Sequence, residues 1–211
     1  MCIRDSYKSF QVDAGALKVY MYFSADGIHW GPRQNFNINT LSDRTTFFWN
    51  PFRNVWVNSD RNSTGVPATP NRAAYSPRVR FYSESKDLTT WTPSNPGQSF
   101  MTGPDDQDPP YYLNNPGGQP PELYNLDAVA YESVMVGLFS WFYPGYPYST
   151  YTLPGPILAE LGVGFSRDGF SWVRPTRGSG PLEGASPAIV DKTLEVGTVV
   201  SRPRGTMCTT L

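Results

Sequence analysis

The chain has 211 residues with a formal net charge of −1, and 15% of its residues are aromatic while 17% are charged. This charge excludes electrostatic attraction to nucleic acid or to an anionic membrane surface. No apolar run reaches the roughly 18 residues of a membrane-spanning helix, so we expect a soluble chain with neither of these partners.

The pattern of apolar residues predicts strands rather than helices. No stretch keeps a 3.6-residue apolar period, and 19 Gly and 21 Pro fall largely between short aromatic and β-branched runs. Such runs, bounded by turn-forming residues, are typical of β-strands. We therefore predict an all-β protein.

The first six residues, Met-Cys-Ile-Arg-Asp-Ser, show neither a strand pattern nor a helix cap, and we interpret 1–6 as a non-native segment. No secretion signal is visible, so the localisation stays open, including a secreted or periplasmic protein whose signal peptide has been lost. Cys2 and Cys208 lie at opposite ends, and His29 is the one histidine. This composition gives no support to a zinc site or a histidine-based triad, and we predict no metal cofactor apart from the calcium alternative below.

A seven-residue phrase, Ser-x-Asp-Gly/Leu-x-x-Trp, occurs three times, at 24–30, 85–91 and 166–172. Each copy follows an apolar or aromatic run. Asp and Ser side chains accept hydrogen bonds from nearby backbone N–H groups, and Gly permits the backbone of a tight turn. We interpret each copy as a strand, a turn and a further strand that begins at Trp, with a structural role for the three Asp residues.

Four-stranded units surround these phrases. The predicted segments are the end of a blade at 7–30, a polar crossing at 31–42, a blade at 43–91, a long loop at 92–126, a blade at 127–172 and a partial blade at 173–211. Units of about 40 to 50 residues with four strands each are typical of β-propeller blades. We predict a single β-propeller domain over 7–211, incomplete, with three to four blades of four antiparallel strands.

Two irregular stretches carry aromatic and acidic residues. The loop 92–126 contains Asp106, Asp108 and Tyr124, and the insertion 143–156 is rich in Tyr and Pro. Long loops of this kind are usually functional or disordered, and interleaved aromatics and carboxylates favour an ordered loop at a site. For Asp106 and Asp108 the alternatives are an Asx turn or a calcium contact through their oxygens. The insertion suits either sugar binding or a stiff surface loop.

Several phrases resemble five-bladed β-propeller proteins related to glycoside hydrolase families 32 and 43, including poorly characterised bacterial relatives. These phrases lie at 43–53, 105–109, 123–126 and 164–172. The resemblance covers 7–176 and implies a propeller of which this sequence is a fragment. It also implies that acids at the start of innermost strands project into the mouth of a central channel, and Asp43 and Asp127 take that place.

The resemblance implies a glycoside hydrolase that acts on a glycan by carboxylate chemistry. Such hydrolysis needs one protonated carboxyl group for the leaving group and one ionised carboxylate to attack or to activate water. The candidate catalytic residues are Asp43, Asp127, Asp108 and Glu132, although the strand pattern puts Glu132 in a hairpin turn. The candidate substrate-binding residues are Arg44, Asp106, Tyr124 and Trp141. An Asp before a strand can also simply accept backbone hydrogen bonds.

Two alternatives remain open. One is a non-catalytic propeller that binds carbohydrate or a protein through the same face. The other is a sialidase-like site, which would need an arginine cluster for the substrate carboxylate and a Tyr nucleophile. Arg61, Arg72 and Arg78 either face such a ligand or are solvated. The oligomeric state is open.

Overall fold

The computed structural model describes residues 7–13, 15–16, 18–39, 43–65, 67, 74–93, 99–105, 108, 121–143 and 158–174, with three short strands further on. All regular secondary structure in this part of the chain is β-strand. The strands are β1 (Tyr7–Asp13), β2 (Lys18–Ser24), β3 (Gln34–Asn39), β4 (Thr46–Asn50), β5 (Val55–Ser63), β6 (Arg78–Ser85), β7 (Phe100–Thr102), β8 (Glu122–Tyr131), β9 (Val134–Tyr143), β10 (Leu158–Ser166), β11 (Ala188–Ile189), β12 (Val199–Ser201) and β13 (Met207–Thr209).

The strands pair antiparallel. The first sheet has the order β1-β2-β3, the second β4-β5-β6-β7 and the third β8-β9-β10-β11, while β12 pairs with β13. Within each sheet consecutive strands are neighbours, as is usual for antiparallel sheets. The all-β prediction and the antiparallel pairing are confirmed.

The second sheet lies between the first and the third. Phe47 and Trp56 face the first sheet and pack with Val19 and Met21 of β2. Their chain neighbours Phe48, Val55 and Val57 face the third sheet and pack in a cluster with Leu123, Leu126, Met135 and Phe139. Because successive side chains of a strand point to opposite faces, a sheet buried on both faces needs apolar residues at consecutive positions, and β4 supplies them in Phe47-Phe48-Trp49.

The three Ser-x-Asp phrases form the same turn. In each copy the Ser Oγ donates to the Asp Oδ1 at 2.9 to 3.0 Å, and that oxygen accepts two backbone N–H groups at 2.7 to 2.8 Å. The residue after Asp is left-handed, with φ of 80° at Gly27, 64° at Leu88 and 76° at Gly169. The structural role predicted for these Asp residues is confirmed.

The prediction that a strand begins at each Trp of the phrase is wrong. Directly after each turn there is a single bridge, between Ser24 and Trp30, Glu84 and Thr92, and Phe165 and Val173. After the first turn β3 then pairs with β2 from Gln34 onward. Pro follows each Trp within three residues in the sequence, and a ladder cannot continue through a residue without an N–H. The fourth strand of the second sheet is instead β7, and that of the third sheet is β11.

Two segments predicted as irregular contain strands. The polar crossing 31–42 includes β3, and the loop 92–126 includes β7 and the first half of β8. Asp127 therefore lies inside β8, opposite Leu138, rather than at the start of a strand. The hairpin β8–β9 extends upstream because Glu122 and Leu123 also find partners, Phe142 and Trp141.

Some predictions fall outside the described residues, namely those on 1–6, on 144–156, on Arg72 and on most of 173–211. In the part of the chain that the structure describes, no helix has the length and apolar character needed to cross a bilayer.

The outer face of the third sheet is apolar and exposed. Leu161, Val163 and Phe165 alternate along β10 and are 63%, 41% and 40% exposed. Val163 stands three residues before the Ser of its phrase, and the equivalent residues Met21 and Tyr82 are buried. The same repeat position is thus covered in two sheets and open in the third.

Candidate functional site

Ionisable side chains gather at the end of the second and third sheets where β4 and β8 begin and β5 and β9 end. We call this the charged end. Its members are Asp43, Arg44, Asp60, Arg61, Arg78, Arg80, Glu122, Tyr124 and Asp127. Antiparallel pairing explains the gathering, because it places the last residues of β5 beside the first residues of β4 and β6.

Arg80 is the buried centre of the charged end and has no solvent exposure. Its Nε donates to Ser59 Oγ at 2.9 Å, its Nη1 donates to the Tyr124 carbonyl at 3.1 Å, and its Nη2 donates to the Ser59 carbonyl. Burial lowers the pKa of Arg80 to about 10, although the nearby Asp60, Asp127 and Asp43 act to raise it. The guanidinium is therefore still charged at neutral pH and joins β5, β6 and β8.

Asp127 is a buried carboxyl group that holds a proton unusually well. Burial raises its pKa to about 6, against the opposing effects of Arg80 and of a hydrogen bond from Asn125. Asn125 Nδ2 donates to Asp127 Oδ2 at 3.0 Å. Asp127 Oδ1 has no hydrogen-bond partner among the described residues. The carboxyl group is thus half protonated near pH 6.

Asp43 has a different environment. Arg61 donates to its Oδ1 from Nε at 2.7 Å, with Nη2 at 2.6 Å from the same oxygen, and Tyr124 Oη donates to Oδ2 at 3.4 Å. The Asp43 side chain is 48% exposed. An ion pair with a guanidinium favours the ionised form of a carboxyl group. Asp127 and Asp43 therefore lie in different environments at the charged end, one buried and one ion-paired.

The ring of Tyr124 has three guanidinium groups around it. Their central carbons lie 5.2 Å from the ring centroid for Arg44, 5.8 Å for Arg61 and 5.5 Å for Arg78. Arg78 also forms an ion pair with Glu122. The predicted substrate-binding residues Arg44 and Tyr124 thus lie beside Asp43.

Sequence reasoning missed Asp60 and Arg80. The strand β5 continues to Ser63, and Asp60 lies inside it opposite Phe81. Asp60 is 1% exposed and accepts a hydrogen bond from Thr45 Oγ1 at 2.6 Å. The available signal was Arg80 between Val79 and Phe81, since a charge inside an apolar strand run indicates a buried, partnered group.

Asp108 and Trp141 belong to a separate cluster. Arg174 donates to both carboxylate oxygens of Asp108, at 2.6 and 2.9 Å, and to Asp105 at 3.0 Å. The Arg174 guanidinium lies 4.5 Å from the ring centroid of Trp141, which is 7% exposed and stacks on Phe139. This cluster fastens the segment after β7 to the third sheet, and the partner of Asp108 in it is Arg174.

The remaining predicted residues lie elsewhere. Glu132 is exposed in the turn between β8 and β9, with a left-handed φ of 49°, at the opposite end of β8 from Tyr124. Asp106 lies outside the described residues. Within the described ranges no three His, Cys, Asp or Glu side chains are grouped as metal ligands, and the calcium alternative stays a prediction.

No protein-family profile matches the chain, and no curated protein resembles it in sequence. Among solved structures it is similar to a glycosyl hydrolase from Bacteroides ovatus, with 16% identity over 62% of this chain and 30% of that chain and a TM-score of 0.35. It is also similar to a protein of the GH130 family of mannoside phosphorylases, which contains glycoside hydrolases that target β-1,2 mannosidic linkages in Candida mannan. That match has 16% identity over 64% of this chain and 31% of that chain, with a TM-score of 0.36. The chain spans about a third of the length of these neighbours, and both are distant structural relatives of glycosyl hydrolase type.

Proposed function

We propose that this chain is part of a β-propeller glycoside hydrolase whose glycan substrate binds at the charged end. The observation that carries the proposal is the presence of two acids in unlike environments at this end. Asp127 is buried with a raised pKa of about 6, Asp43 is ion-paired and half exposed, and both act on the buried charge of Arg80. A buried acid that holds its proton and an ion-paired carboxylate suit the separate roles of acid and base.

The roles follow from these environments. Asp127 keeps its proton up to about pH 6 and serves there as the general acid that protonates the leaving oxygen. The adjacent charge of Arg80 stabilises the carboxylate that forms when this proton is given up. Asp43, held by Arg61 and Tyr124, serves as the ionised nucleophile or base.

The test is a hydrolysis screen of a glycan panel with the wild type and with Asp43→Asn and Asp127→Asn. Each variant keeps the shape of its side chain, and we expect each to lose about 100-fold or more in kcat/KM, since general acid–base groups typically contribute that much. Asp13→Asn, which changes an exposed Asp of β1, is the matched control and should retain activity. Wild-type activity should fall as pH rises above about 6, where Asp127 loses its proton.

Activity that survives both substitutions at the charged end would remove the assignment. Far-UV circular dichroism and thermal melting of each variant separate loss of chemistry from loss of fold.

A non-catalytic carbohydrate-binding protein is the second candidate, and the burial of Asp127 favours it. Asp127 is 6% exposed, and a proton donor must come within hydrogen-bond distance of the glycosidic oxygen. In that case a glycan would bind at Asp43 and Tyr124 without cleavage. Binding by calorimetry with no product released over many hours would select this candidate.

A further inference from the structure

The arginine group around Tyr124 consists of Arg44, Arg61 and Arg78, and two of these have carboxylate partners. Asp43 is the partner of Arg61, and Glu122 is the partner of Arg78. Arg44 contacts the Tyr124 ring and has no carboxylate partner among the described residues. Arg44 is therefore the member of the group whose guanidinium is left to pair with a ligand.

Arg44 is open to a ligand. Its residue is partly exposed, and the adjacent Asp43 side chain is 48% exposed, whereas Arg80 is fully buried behind them. Arg44 also has a left-handed φ of 58°, a conformation that is uncommon for residues other than Gly, Asn and Asp and that persists only where the surroundings hold it.

A second, independent feature beside Tyr124 is a pair of buried acceptor oxygens. Asn125 and Asp127, which follow Tyr124 along β8, are 5% and 6% exposed. Each has a side-chain oxygen, Oδ1, without a hydrogen-bond donor among the described residues. Buried acceptors of this kind are normally paired, directly or through ordered water. Because both oxygens are buried, ordered waters beneath a bound sugar are the donors of the required type.

These features together define the class of ligand. A guanidinium fork matches the two oxygens of a carboxylate. We propose that the charged end binds a glycan containing an acidic sugar, with the carboxylate of that sugar on Arg44. This rests on the proposed function only for the choice of a glycan. A neutral glycan would leave the charge of Arg44 unmatched.

The experiment measures binding by calorimetry to matched pairs of oligosaccharides. The pairs are oligogalacturonate with its neutral galactan counterpart, oligoglucuronate with its glucan counterpart, and sialyllactose with lactose. We expect at least one acidic member to bind about tenfold or more tightly than its partner, as hydrogen bonds to charged groups allow. If every neutral member binds as well as its acidic counterpart, or if no acidic member binds, the proposal is overturned.

The informative variant is Arg44→Asn, because Asn tolerates the left-handed backbone and the fold is retained. It should remove the preference for the acidic member and leave affinity for the neutral member within about twofold. Arg33→Asn is the matched control, since Arg33 also stacks on a tyrosine, Tyr20, at 4.3 Å but lies in the first part of the chain. An equal effect of both variants would mean that general charge, rather than this site, sets the preference, and would overturn the proposal.

Two further measurements separate this inference from the proposed hydrolysis. If an acidic sugar binds in a way that depends on Arg44 but is not cleaved, the inference is supported and the proposed hydrolase function is contradicted. If a neutral glycan is cleaved equally well by the wild type and by Arg44→Asn, the hydrolase function is supported and the inference is contradicted. Inorganic phosphate is the small-anion probe, and if it binds as tightly as the preferred acidic oligosaccharide, the arginine group recognises a free anion and the inference is wrong.

Discussion

The two ends of the second and third sheets hold their polar groups in different ways. At the end with the turns, Asp168 Oδ1 accepts N–H groups of its own turn, and Asn50 Nδ2 donates to the Asp168 carbonyl at 2.7 Å. At the charged end Asp43 pairs with the Arg61 side chain of β5, and Asp127 Oδ1 has no partner among the described residues.

The two ends also differ in what they do to the pKa of an Asp side chain. Partial burial works against ionisation of Asp168, but backbone hydrogen bonds from Phe170 and Ser171 outweigh it and lower its pKa. The pKa of Asp87 is lowered by the same kind of bonds, from Thr90 and Thr89. At the charged end burial instead raises the pKa of Asp127. One end fixes its carboxylates as turn acceptors, and the other keeps a carboxyl group able to exchange a proton.

The largest expected effect comes from removing the buried cation. Arg80→Met should lower the free energy of unfolding by about 3 to 5 kcal/mol, because the buried Asp60 and Asp127 lose their compensating charge. Arg53→Met is the matched control at the other end, where Arg53 and Glu84 are 41% and 25% exposed, and should lose no more than about 1 kcal/mol. Urea denaturation of both variants measures the two losses in free energy of unfolding. Similar losses would contradict the expected difference between the two ends.

The pH dependence of stability is the next test. The pKa of Asp127 is raised from 3.8 to about 6 on folding, so the unfolded chain releases this proton first and the contribution of the group to stability falls as pH rises from about 4 to 6. Asp127→Asn removes the titrating group and with it this loss of stability. Relative to wild type, the variant should gain up to about 3 kcal/mol between pH 4 and pH 7.5, an upper limit from 1.36 kcal/mol per pKa unit.

Denaturant midpoints across this pH range provide the measurement for Asp127→Asn. Asp26→Asn, in an exposed turn where the imidazole of His29 and backbone N–H groups lower the pKa, is the control with the opposite sign. Its stabilising effect is lost as pH falls below the usual range of Asp. A pH-independent difference between wild type and Asp127→Asn would contradict the raised pKa.

A smaller effect distinguishes the repeated turns from one another. A Cβ added at Gly169 would lie 2.5 Å from Asn50 Nδ2, whereas at Gly27 the nearest atoms, of Tyr7, are 3.4 Å away. Both glycines are left-handed, so alanine should destabilise each by about 1 to 2 kcal/mol. Gly169→Ala should lose about 1 kcal/mol more, because it displaces the hydrogen bond from Asn50 to the Asp168 carbonyl. Thermal melts of the pair would show equal losses if Asn50 can move freely.

The smallest expected effect extends the comparison from the ends of the sheets to their faces. Val163→Ala should change stability by less than about 1 kcal/mol, since Val163 is 41% exposed. Met21→Ala, at the equivalent repeat position but 6% exposed, should lose about 2 to 5 kcal/mol. Equal losses in denaturant titrations would mean that the outer face of the third sheet is covered in solution.

Sequence reasoning succeeded where partners are local. The Ser24, Asp26 and Gly27 turn and its two repeats follow from hydrogen bonds that reach no further than three residues. It failed for Asp127, which was expected to open a strand and lies inside β8. It also passed over Arg80, whose partners Ser59 and Tyr124 are 21 and 44 residues away.

The sequence by itself determined the strand-rich class, the repeated turns and the apolar pairs that let the second sheet be buried on both faces. Only the tertiary structure decided which charges meet, because the neighbours of Asp43 and Arg80 come from strands distant in the chain. Only it decided which acid is buried, because burial depends on how the sheets stack. The stacking of the sheets removes water from around Asp127, and this desolvation raises its pKa, which no local sequence pattern predicts.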